Sequence, residues 1–219
     1  MSITVSYPYR TAWVASGTAI EPVAMELVTP PTVEPLSLVD AKECIRRTTT
    51  EEDTLIDRLI AAAREQAEME TDLKLITQTW DLFYDQPPTS AYAGLSLPIA
   101  PVQSVVVSYV DADGATQVWS SASYELVKPS LPPAQRRAGY VIPGYGLTYP
   151  TVRYQPRAIK VRVVAGYGLT AASVPASIRT GMGALIGLLV GPGRQSAVDG
   201  TIVTAVPGVE RLFGAFRAY

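Results

Sequence analysis

The 219 residues include no histidine. That removes imidazole acid–base catalysis, the Ser/His and Cys/His pairs, and every zinc or iron site that needs an imidazole ligand. Cysteine is almost as scarce. Cys44 stands alone, so no internal disulfide, Cys-x-x-Cys redox pair or thiolate cluster can form, which suits synthesis in a reducing cytosol. A long apolar run is missing too: the stretch Ile178 to Val190 falls short of the roughly 20 residues a membrane span needs, and Gly181, Gly183 and Gly187 interrupt it. No basic region precedes an apolar core at the amino terminus, so the expectation is a soluble, unprocessed chain. Charged residues make up only 17% against 47% hydrophobic. A chain of this length and composition can bury roughly 70% of its unfolded surface and is not disordered.

The charge that is present is unevenly spread. Met1 to Val127 holds 7 basic and 18 acidic residues, whereas Lys128 to Tyr219 holds 11 basic and 2 acidic, giving −11 and +9 within a net charge of −2. Three readings fit such asymmetry: pairing of the halves within the chain, a basic face for nucleic acid, or head-to-tail contact between copies.

Residues 1–35 carry Pro8, Pro22, Pro30, Pro31 and Pro35 and little apolar period, and are read as an extended arm. A core domain follows over 36–190. Ser37-Leu38-Val39-Asp40 has the form of a helix cap, and Leu38, Ala41, Cys44 and Ile45 have helical spacing, which predicts a short helix to about Arg47 with Cys44 on its apolar face. After Thr48, Thr49 and Thr50, the carboxylates of Glu51, Glu52 and Asp53 suit the positive end of a second helix. Leu55, Ile56, Leu59, Ile60, Ala63 and Ala67 form its apolar stripe. Asp57, Arg58, Arg64, Glu65, Glu68 and Glu70 are expected mostly outside it. These carboxylates lie on a helix surface without a glycine loop, so neither catalysis nor magnesium is assigned to them.

From Thr77 the period falls to two, and strands are predicted at 78–84, 95–99, 104–110, 115–119, 124–127, 140–142 and 159–165, with a hairpin turn at Asp113-Gly114. In the last strand Ile159, Val161 and Val163 face a core while Lys160 and Arg162 form a basic ladder on the other side. Lys128 to Gln155 reads as a long loop carrying Arg136 and Arg137. Gly-Tyr-Gly-Leu-Thr occurs at 144–148 and again at 166–170, but neither copy continues into a phosphate-binding loop, so both are read as tight turns. Pro175 opens a third helix, whose Gly183 and Gly187 allow close approach of another element. Residues 191–219 form a linker and an apolar tail, in which Val209, Leu212, Phe213 and Phe216 share a helical face that folds back or docks on a partner. The fold class expected is α+β: two N-terminal helices and one later helix packed with a mainly antiparallel sheet, between an extended arm and a tail.

From Glu34 onward a series of motifs occurs in a characteristic order. Glu34-Pro35-Leu36-Ser37-Leu38-Val39-Asp40-Ala41-Lys42 is followed by Glu51-Glu52-Asp53-Thr54-Leu55-Ile56 and Ala61-Ala62-Ala63-Arg64-Glu65. Next come Ile76-Thr77-Gln78-Thr79-Trp80, then Leu97-Pro98-Ile99-Ala100-Pro101-Val102-Gln103-Ser104-Val105 and Tyr109-Val110-Asp111-Ala112-Asp113-Gly114. Ala165-Gly166-Tyr167-Gly168, Val174-Pro175-Ala176 and Val206-Pro207-Gly208-Val209-Glu210-Arg211-Leu212 complete the series. In this order the sequence resembles the head-to-tail connector, or adaptor, family of long-tailed double-stranded DNA bacteriophages and gene transfer agents. The proline-rich first 33 residues and the glycine-rich third helix depart from the family pattern.

The resemblance implies a non-enzymatic virion protein without cofactor or metal, made in the bacterial host cytoplasm. It would form a ring, twelve-fold in the family, beneath the portal at the virion neck and extend the DNA channel. The partners implied are copies of itself, the portal protein, a stopper or tail-completion protein and, transiently, passing double-stranded DNA; no membrane is involved. The portal-docking tail would comprise Val206, Pro207, Gly208, Val209, Leu212, Phe213, Phe216 and Tyr219. Contacts between copies are assigned to Glu51, Glu52, Asp53 and Asp57 against Lys160 and Arg162, and a channel- or tail-facing loop to Arg136, Arg137, Arg153 and Arg157. The alternative is a sequence-independent DNA-binding protein using the basic half, for which no helix-turn-helix, zinc module or aromatic-rich basic surface is present. An enzyme built on carboxylates alone has no converging pair to support it.

Overall fold

Ser37 starts the first helix, α1 (Leu38–Cys44), through a reciprocal cap. Its hydroxyl accepts the Asp40 N–H at 3.1 Å, and the Asp40 carboxylate accepts the Ser37 N–H and O–H at 3.3 and 2.7 Å. These elements belong to a computed structural model that describes residues 19–90, 93–128, 139–190 and Phe213. Helix α2 (Asp53–Thr71) begins later than the acidic run suggests: Glu51 and Glu52 precede it and only Asp53 lies in the first turn. It ends where Asp72 turns left-handed, at φ 54°. Helix α3 (Ala176–Val190) starts behind Pro175 as predicted.

The three helices pack mainly on one another. Ile56, Ile60, Ala63 and Ala67 of α2 meet Ile178, Met182 and Ile186 of α3 in a core that also takes Leu36, Ala41, Leu73, Leu75, Ile76 and Phe213. Small residues make this possible. A Cβ on Gly183 would lie 2.6 Å from the Cys44 Sγ, and one on Gly181 would lie 2.7 Å from the Phe213 ring. The close approach expected at Gly183 is thus with the end of α1. Cys44 itself is exposed, a correction to its expected core position: its sulfur rests on the α3 backbone while the residue stays open to solvent.

Among the described residues eight strands form two antiparallel sheets. β1 (Ala24–Thr29), β2 (Gln78–Tyr84), β4 (Val102–Val110), β5 (Thr116–Val118) and β8 (Ile159–Ala165) make a five-stranded sheet in the order β1-β2-β8-β4-β5. β3 (Leu95–Leu97), β6 (Tyr124–Val127) and β7 (Gly139–Pro143) make a smaller one in the order β3-β7-β6. Alternation in β8 buries Ile159, Val161 and Val163, which share a second core with Trp80, Leu82, Leu95, Leu97 and Val141. The fold is α+β, as expected. One strand was not foreseen: β1 lies in the stretch read as an arm and pairs with β2, whereas the strand predicted at 140–142 stands as β7, in a second sheet.

The chain passes between the cores at Leu73–Gln78, where Leu73 bridges Ala100 and Ile76 bridges Gly168. Gly166 sits here at φ 131°, and a Cβ on it would lie 2.6 Å from the Ile76 carbonyl. The second Gly-Tyr-Gly turn therefore serves close backbone packing. Among the described residues no helix is long and apolar enough to cross a membrane.

Candidate functional site

The outer face of the five-stranded sheet collects the charged residues of three strands and a loop. Register places Glu26 beside Asp81, Asp81 beside Arg162, and Arg162 beside Val106. Asp81, only 6% exposed, accepts from Arg162 Nε at 2.7 Å and Nη2 at 2.8 Å, a bidentate pair. That hydrogen bond, and then the charge behind it, raise the Arg162 pKa further. Lys160 stands 3.9 Å from the same carboxylate. Arg157 donates to Glu26 at 2.7 Å, lies over the Phe83 ring at 4.7 Å, and its backbone N–H is taken by Asp85 at 2.8 Å. The ladder of Lys160 and Arg162 predicted for contact between copies thus already faces a carboxylate of this chain, Asp81.

The acidic residues assigned to meet that ladder lie on the helical side. Asp53 binds Lys42 at 2.6 Å and Glu52 lies 3.7 Å from Arg47 Nε. Glu51 and Asp57 are exposed. Asp57 borders an open groove of about 410 Å³ with Glu34, Leu36, Ser37, Leu38 and Ile60. Burial raises the Glu34 pKa against the opposing effect of Arg64, which donates to it at 2.9 Å. No ion pair joins the acidic set to Lys160 or Arg162 among the described residues.

Of the basic loop residues, Arg153 is exposed, its N–H bonded to the Val110 carbonyl and its guanidinium against the Gly114 turn. Arg136 and Arg137 lie outside the described residues. So do Val206, Pro207, Gly208, Val209, Leu212, Phe216 and Tyr219 of the tail. Phe213 is described, and its side chain is fully buried in the helical core against Gly181. Of the two courses expected for the tail, folding back or docking, Phe213 here takes the first and anchors the chain to itself.

Sequence reasoning passed over the most connected polar residue. Glu68 is 7% exposed, where an outward position was expected. Its Oε1 accepts the Leu75 N–H and Gln78 Nε2, both at 3.0 Å, and its Oε2 lies 3.5 Å from Lys74 Nζ and 3.9 Å from Arg64. Gln78 in turn accepts Trp80 Nε1–H at 3.0 Å, and Lys74 sits 4.9 Å from the Trp80 ring centre. The chain Glu34–Arg64–Glu68–Gln78–Trp80 joins the helical core to the sheets. The Arg64–Glu68 spacing of four residues was the one signal for it in the sequence. Among the described residues no group of three acidic or thiol side chains could hold a metal ion.

No protein-family model and no curated protein matches this chain. Its fold is similar to that of solved chains from gene transfer agent (GTA) particles. One belongs to the neck of an empty GTA particle computed with C6 symmetry, with 22% identity and TM-score 0.66 over 90% of this chain and 96% of that one. Another belongs to the virion of a native GTA particle, with 21% identity and TM-score 0.63 over 89% and 95%. A third comes from the neck of a native GTA particle computed with C12 symmetry, with 21% identity and TM-score 0.61 over 88% and 95%. The likeness is one of fold, and it spans nearly the whole of each chain.

Proposed function

We propose that this chain is a structural, non-enzymatic protein of the neck of a tailed-phage or gene-transfer-agent particle. It forms a ring, twelve-fold by the family resemblance, beneath the portal and extends the channel through which double-stranded DNA passes. Its partners are its own copies, the portal protein and a stopper or tail-completion protein. The observation that carries this reading is the fold shared over 90% of this chain and 96% of a GTA neck chain, in a chain whose ordered motifs resemble the adaptor family. The tail beyond Phe213, with Phe216 and Tyr219, is the proposed portal contact; of the four acidic residues assigned to neighbours, Glu51 and Asp57 are exposed.

The test is the mass of the full chain in solution, alone and mixed with the portal protein of the same particle, by light scattering. A closed oligomer or a portal complex is the expected result. The tail's part is tested with Phe216→Ala. Truncation after Gly200 would also remove Phe213 from the core, so loss of binding there would not separate docking from folding. A chain that ignores the portal and instead shifts duplex DNA with a steep dependence on salt would replace this reading with the DNA-binding one.

A further inference from the structure

Among the described residues the five-stranded sheet ends in two open edges, β1 and β5, and no strand pairs with the outer side of either. An exposed edge offers its unpaired N–H and C=O groups to any strand, and monomeric proteins blunt such edges with proline, lysine, inward charge, short strands or bulges, of which only the last two are found here. Neither strand contains proline or lysine. The single charge on β1, Glu26, is bridged to Arg157. Both edges also carry bare aliphatic side chains: Leu27 is 41% exposed, Val28 43% and Val118 69%. A bulge between Leu27 and Thr29 ends the regular part of β1, leaving Ala24–Leu27 as a short straight edge comparable to the three residues of β5.

The direction of the strands decides what can cover these edges. Every neighbouring pair in the sheet is antiparallel and there are five strands, so β1 and β5 run the same way. A second copy placed by rotation about an axis along the strands brings its β5 beside β1 in parallel, continuing the sheet. A two-fold axis would instead set β1 against β1 in antiparallel fashion. Only the first contact is heterologous, leaves one open edge at each end, and closes when the rotation permits.

We propose that β1 of one copy pairs with β5 of the next, so that the five-stranded sheets join edge to edge around the assembly. The occupant of each edge is therefore another copy of this chain. The proposal deepens the neck reading and rests on its ring. It moves the contact between copies from the Lys160 and Arg162 ladder, which Asp81 already occupies, to backbone hydrogen bonds flanked by Leu27, Val28 and Val118.

Leu27→Lys and Val118→Lys each place a charge on one edge at a site already exposed, and unchanged thermal melts identify variants that still fold. Native mass spectrometry of the full chain over a concentration series is expected to show a closed oligomer for the wild type and a single chain of 23.5 kDa for each variant. An equimolar mixture of the two variants retains one intact β1 and one intact β5, and is expected to give a species of twice the chain mass and nothing larger. Dimers of Val118→Lys alone would overturn the proposal in favour of β1–β1 pairing. Oligomers that survive both substitutions would overturn edge pairing and leave the neck reading standing. A wild type that stays a single chain both alone and on the portal protein would overturn the neck reading, and edge pairing with it.

Discussion

Glu68 shows how a buried carboxylate gains its partners from three directions: its own helix, the following turn and the first residue of β2. Its replacement by alanine removes the acceptor of the Leu75 N–H and one partner each from Gln78, Lys74 and Arg64. Glu68→Ala is expected to cost about 3 kcal/mol in urea unfolding, the scale for removing one partner of a buried charged network. Glu68→Gln keeps an acceptor for Leu75 and is expected to cost less. Asp111 acts at the opposite end of exposure. Its carboxylate accepts Gln117 Nε2 at 2.8 Å and the N–H groups of Ala115 and Asp113 at 2.9 and 3.1 Å. These bonds, Gln117 first, hold its pKa below the ordinary 3.8. A carboxyl lowered in the folded state contributes its stability above the unfolded value and loses it as pH falls through the folded one. The protection factor of the Ala115 amide, the exchange rate of an unstructured peptide over its own, is therefore expected to fall below about pH 4 in the wild type and to lose that pH step in Asp111→Asn.

At the scale of elements, the junction of α1 with α3 depends on volume. Gly183→Ala is expected to lower stability by about 1–3 kcal/mol, because the new methyl meets the Cys44 sulfur. In Cys44→Ala the sulfur is gone and the nearest atom, the Cβ, is 3.3 Å away. The double variant is therefore expected to recover about 1 kcal/mol of that loss in a thermal melt. Elements whose signals are local were legible in the sequence: the Ser37 cap, the start of α3 at Pro175, the Asp113-Gly114 turn and the alternation of β8. β1 was not, because its six residues carry weak alternation between flanking prolines and gain strand form only by pairing with β2, some fifty residues away. Glu68 was hidden for a similar reason. Its partners on Leu75 and Gln78 lie past the helix end, where helical periodicity no longer says what faces what. The basic ladder was read correctly as a face, but its partner Asp81 sits on another strand, so the pairing within the chain was invisible to spacing.

The whole molecule is two cores joined by a polar chain, and Phe213 ties the far end of the sequence into the helical one. Phe213→Ala is expected to cost about 3–5 kcal/mol, the range for removing a buried ring, with the loss showing first in the amide exchange of α2 and α3. The overall fold class followed from the sequence. The partition into two cores did not, because it depends on which apolar stripes meet across the chain. The row Glu26–Asp81–Arg162, with Lys160 and Arg157 beside it, sets opposite charges within a few ångströms of one another. Charges paired that closely largely cancel beyond their own spacing, so this face presents a weak net field to its surroundings.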